Sequence, residues 1–103
     1  MMTTKELEDK LNSLYDQRMM TFTVKTLPDG NVLVSYLNRL TDQTNTMFEI
    51  RTKKDDIEIV IAYIKGQIDG YKERQQRLSD FSSIIQALET IKDFAEEKLK
   101  EVA

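Results

Sequence analysis

The chain has no cysteine and no histidine, and its 103 residues include only one proline and three glycines. Without cysteine no disulfide forms, and without either residue the zinc sites built from sulfur and imidazole ligands are excluded. Cysteine nucleophiles, histidine-dependent triads and the ordinary proton shuttle near neutral pH are excluded with them. An enzyme of this composition would depend on carboxylates, lysine, tyrosine, serine or a bound cofactor, and no residue pattern points to a cofactor or a metal. So little proline and glycine leaves no room for a flexible linker. No run approaches the ~18 apolar residues that a membrane span needs, so no membrane association is expected. The opening MMTTKELEDKL lacks an apolar segment of the signal-peptide kind, and a cytoplasmic protein is expected.

What is present reads as ordinary globular protein: 40% hydrophobic and 32% charged residues. Residues 1–103 are expected to form one domain, a size that buries roughly 60–70% of the unfolded surface. The net charge of −3 is the wrong sign for a general polyanion binder and too small to imitate DNA.

The hydrophobic periods set an α+β order. Thr3 and Glu6 have capping-box spacing, and Leu7, Leu11 and Leu14 form one stripe, so residues 3–18 are expected to be helical, with Glu6 and Lys10 able to pair. Met20–Leu27 alternates strictly, which is the pattern of a half-buried strand. Pro28, Asp29 and Gly30 supply a turn, and Asn31–Leu37 runs back. TDQTN reads as a second turn, and Thr46–Thr52 as a third strand. The expected fold is therefore α–β–β–β–α–α, a three-stranded antiparallel meander covered on one face by helices, two of them long and C-terminal. Alternation puts Leu33, Leu37 and Met47 on the outer sheet face among Arg39 and Arg51. A contiguous apolar patch rimmed by charge there would form a partner surface.

Asp55 or Asp56 is placed to cap the second helix, and the KKDDIE carboxylates suit the positive end of its dipole. Ile57, Ile61, Ile64, Ile68, Tyr71, Gln75 and Leu78 then keep a four-three spacing that belongs to a helix seam. β-Branched residues at 57–61 favour a strand by local propensity, so a strand to Tyr63 with a turn at Gly66 is the alternative. Inside a helix each glycine costs about 0.5–1 kcal/mol relative to alanine. Ala62, Gly66 and Gly70, four residues apart, would leave a row free of side chains along which another helix backbone could run close.

The expected occupant is the last helix, 81–102, capped by Ser79 or Asp80 and carrying Leu88 and Ile91 at helical spacing. Its Ser83 and Ala87 form a second small-residue row, and Glu96 and Lys100 are spaced to pair. The same crossing could instead join two chains, which makes Ala62, Gly66, Gly70, Ile64, Ile68, Tyr71, Leu88 and Ile91 the candidate helix-packing or dimer interface. Two long helices over a small sheet suggest surplus apolar surface and a homodimer.

The functional expectation is a small non-enzymatic module that binds another protein, of the size of an accessory or inhibitor protein. A nucleic-acid contact through Lys53, Lys54, Lys72, Arg74 and Arg77 is the alternative. The order helix, three strands, helix over residues 3–78 resembles the double-stranded-RNA-binding domain. In that family a lysine-rich segment opens the second helix and grips phosphates, which the resemblance would assign to Lys53 and Lys54. Here Asp55, Asp56 and Glu58 follow at once, and isoleucines replace the family's alanine-rich start. A small-molecule site or enzyme is the third class, and it requires a pocket between sheet and helices lined by Tyr36, Tyr63 or Tyr71.

Overall fold

The computed structural model describes residues 2–75 and 81–103. Along the chain run α1 (Thr4–Ser13), β1 (Met20–Thr26), β2 (Val32–Asn38), β3 (Gln43–Ile50), α2 (Lys54–Gln75) and α3 (Ser82–Val102). The strands form an antiparallel meander in the order β1-β2-β3, and the element order is the one expected. Phe22, Val34 and Ile50 of the sheet meet Leu7 and Leu11 of α1, Ile57 and Ile64 of α2, and Leu88 and Ile91 of α3 in one buried core. Each such side chain contributes about 1.5–3 kcal/mol when fully removed from water.

Turn chemistry and capping set most boundaries. Thr3 Oγ1 accepts the Glu6 amide at 3.1 Å, which starts α1. That helix stops at Ser13, earlier than its stripe suggested. The Ser13 hydroxyl donates to the Lys10 carbonyl at 2.6 Å, and the Asp16 carboxylate takes the Arg18 amide at 2.9 Å in the following turn. Gly30 adopts φ 91, the left-handed conformation that closes the first hairpin. Strand β3 begins at Gln43, inside the segment expected to be a turn. Asp42 takes φ 56, which aspartate tolerates, so the reversal is complete by that residue and Gln43 faces Asn38.

Residues 57–63 are helical, so the strand alternative is overturned. Ile57, Ile61, Ile64 and Ile68 all lie on one buried stripe, and burying that stripe outweighs the modest strand preference of β-branched residues. Asp55 and Asp56 sit inside the first turn of α2 and do not cap it; they complement its dipole instead. The Phe81 amide, just before α3, donates to Gln75 Oε1 at 3.2 Å. Ser79 and Asp80, the expected caps of α3, and Leu78 lie outside the described residues. Two expected surface pairs are replaced by others: Lys5 lies 3.2 Å from Asp9, and Lys92 lies 3.2 Å from Glu96.

Strand β1 is an edge, and α1 closes it. The Asn12 side chain accepts the Phe22 amide at 2.7 Å and donates to the Phe22 carbonyl at 3.1 Å, while Glu8 Oε1 accepts the Val24 amide at 3.0 Å. Polar groups one helical turn apart thus complete a row of backbone groups that would otherwise invite another strand.

The β2–β3 pairing shifts between Val34 and Ser35, where Val34 faces Phe48 but Ser35 faces Thr46. The extra residue breaks the alternation at Met47. Met47 does not join Leu33 and Leu37 on the outer face as expected; it packs against the core beside Met20 and Tyr36.

Candidate functional site

Helix α2 has two faces of opposite character. At 3.6 residues per turn, the row Ala62, Gly66, Gly70 lies roughly opposite the isoleucine stripe. The stripe belongs to the core it shares with Leu88 and Ile91 of α3, so Ile64, Ile68, Leu88 and Ile91 pack within the chain. The glycine row does not meet α3. A Cβ built on Gly66 would have no neighbour within 4 Å, and one on Gly70 would approach only Arg74 Nη2, at 3.9 Å. Ala87, expected opposite the glycines, is buried in the core, and Ser83 is exposed. The crossing of the last helix over the glycines is therefore overturned, because α3 is held on the other side of α2 by the larger apolar stripe.

Around the glycines lies a shallow trough whose walls include Tyr63, Gln67 and Tyr71, with Arg74 at its end. The Arg74 guanidinium sits 5.0 Å from the centre of the Tyr71 ring. Ile59 and Tyr63 on the same outward side are 66% and 59% exposed, values that set them apart from every isoleucine of the opposite stripe. Five residues at four-residue intervals thus form one line along the helix: Glu58, Ala62, Gly66, Gly70 and Arg74.

Tyr71 faces two ways. Its ring packs against Phe81 at 5.1 Å, and its phenol acts electrostatically on Tyr15. Burial pushes the Tyr15 phenol above its ordinary value, and the neighbouring Tyr71 adds to the rise. Asp16 is held low by its hydrogen bonds from Arg18.

The other candidate residues are dispersed. On the outer sheet face Leu33 lies between Lys25 and Glu49, and Leu37 between Thr21 and Thr44. The pair Thr23 and Ser35 separates the two leucines, so no continuous apolar patch forms. Arg39 Nε donates to Thr21 Oγ1 at 3.3 Å, and Arg51 is exposed beyond the end of β3. Lys53 and Lys54 stand at one end of α2 and Lys72 and Arg74 at the other, about 27 Å apart at 1.5 Å per residue. Lys54 lies 4.0 Å from Glu58 and Lys72 lies 3.6 Å from Glu89, so these cations face acids and form no common basic surface. Arg77 lies outside the described residues.

Among the described residues no cluster of three or more acidic side chains is placed to hold a metal ion, and no helix is long and apolar enough to cross a membrane. The chain matches no family model, no curated protein and no solved structure. The fold class is α+β, and the residues themselves carry any functional reading.

Proposed function

We propose that this chain is a non-enzymatic, cytoplasmic protein–protein interaction module that self-associates through the outward face of α2. The observation that carries the proposal is a pair of glycines in a helix interior with open space where their side chains would be. Each costs helix stability, and neither relieves a contact with the described residues. Clearance for a second helix backbone is a use for them that the fold itself does not supply.

A second copy of α2 fits this line of residues. In a two-fold interface the contacts are reciprocal, so residue i of one chain meets residue j of the other and j meets i. An antiparallel pair with its axis at Gly66 sets Ala62 against Gly70 and Glu58 against Arg74 on both sides. Small residues occupy the crossing, and opposite charges flank it. The flanking pair costs little to form, since Glu58 holds only an exposed contact with Lys54 at 4.0 Å. Ile59 and Tyr63 supply apolar area beside the crossing.

Light scattering on the intact chain at tens of micromolar tests the proposal. The expected mass is twice the 12.0 kDa of one chain. Gly66→Glu should return it to one chain, because like charges then meet at the axis. A single-chain mass for the wild type at that concentration ends the proposal.

A further inference from the structure

The core is not closed between the sheet and α2. A cleft of about 330 Å³ opens there, near the lower bound of volumes that hold small ligands. Its walls are aromatic and sulfur-bearing. Phe48 and Tyr63 meet edge to face at 6.0 Å, Phe22 and Tyr36 lie 6.3 Å apart, and Met20 and Met47 fill in beside them. Met47 is there because of the bulge, which turns it from the outer sheet face into the cleft wall. Bulges often re-aim side chains in this way beside sites.

Two features suit the cleft to a ligand. The first is charge. Among the described residues that line it there is no aspartate, glutamate, lysine or arginine, whereas the depression between α2 and α3 is lined by Lys65, Asp69, Lys72, Glu89, Lys92 and Asp93. The second is unused hydrogen-bonding capacity. Tyr36, Tyr63, Tyr71 and Gln67 line the cleft, and no hydrogen bond among the described residues engages their hydroxyl and carboxamide groups. Flat rings and thioethers favour an aromatic face, and hydroxyl and amide groups favour a polar rim. A charged ligand would lose hydration there with no counter-ion to replace it.

We propose that this cleft binds a small, uncharged, planar aromatic molecule of two or three fused rings carrying hydroxyl or carbonyl groups on its edge. The proposal does not rest on self-association, although the cleft and the glycine trough adjoin and share Tyr63, Gln67 and Tyr71 as a common wall.

2-Naphthol is a suitable probe, with naphthalene-2-carboxylate as its charged counterpart of the same size, both titrated calorimetrically into the intact chain at neutral pH. Saturable one-to-one binding of 2-naphthol is expected, with half-saturation at roughly 10–500 µM, the range open to a ligand so small. The carboxylate should bind at least about tenfold more weakly, as expected for an uncompensated charge. Tyr36→Phe and Gln67→Leu, each checked for a native circular dichroism spectrum, should weaken 2-naphthol by roughly three- to tenfold, the value of one hydrogen bond. Amide shifts in wild-type protein should change at β3 and the middle of α2, which locates the site without any variant. Gly66 is not part of the cleft lining, so the Gly66→Glu chain should still bind 2-naphthol one to one, and loss of self-association and loss of the cleft are told apart. No saturation below millimolar 2-naphthol, equal binding of the carboxylate, or shift changes elsewhere on the chain would overturn the proposal.

Discussion

Replacing Gly66 and Gly70 together by alanine separates what the glycines cost from what they permit. Both sit in the interior of α2 with helical backbone, so alanine meets no conformational penalty. Space is available too: nothing lies within 4 Å at Gly66, and the 3.9 Å approach to Arg74 at Gly70 is ordinary contact. Each replacement should therefore stabilise the single chain by about 0.5–1 kcal/mol, for a sum of about 1–2 kcal/mol. For a domain of this size that corresponds to a rise in melting temperature of roughly 5–12 °C. Circular dichroism melts at low micromolar concentration measure it, and a urea series should show a higher midpoint with unchanged slope. Concentration supplies the second half of the test. A self-associating wild type melts higher as protein concentration rises, whereas Gly66→Glu, which also gains helix propensity, should melt at one temperature throughout. A double alanine variant that melts lower than wild type in dilute solution would refute the reasoning, since the glycines would then be serving the fold of the single chain.

Two further outcomes follow from contacts away from α2. Asn12→Ala removes both hydrogen bonds to Phe22 and leaves its partly buried amide on an open edge, so urea unfolding should register a loss of about 1–3 kcal/mol and aggregation on heating should increase. Tyr15 has a raised pKa in the folded chain, so its contribution to stability is complete below the unfolded value near 10 and is lost as pH climbs through the folded value; Tyr15→Phe should flatten the alkaline decline, read from thermal midpoints between pH 9 and 11.

The candidate sites divide by the kind of information each requires. Charge dispersal is a matter of helix length: Lys53 and Lys72 are separated by most of a long helix, and an antiparallel sheet beside it does nothing to fold that distance back. The outer-face patch depended on register. Thr23 opposite Ser35 interrupts it, and the bulge takes Met47 away. The cleft likewise exists because of that bulge, although the sequence already contained its tyrosines.

Local periods determined the element order. Leucine spacing in α1, strict alternation in β1 and the isoleucine seam of α2 each demand one regular structure, and Pro28–Asp29–Gly30 demands a turn. The absence of cysteine and histidine removed whole classes of chemistry by itself. Only tertiary structure decided which face of α2 would be covered. The sequence offered two stripes, one of isoleucine and one of glycine, and α3 could have lain on either. Four isoleucines bury far more apolar area than two glycines and an alanine, so α3 took the first and left the second to water. Nor does any local pattern reveal that Asn12 and Glu8 reach the edge of β1, because that contact depends on where a helix lands on a sheet. Pairwise periodicity fixes what each segment is, whereas the choice among competing surfaces is settled by the summed burial of the whole chain.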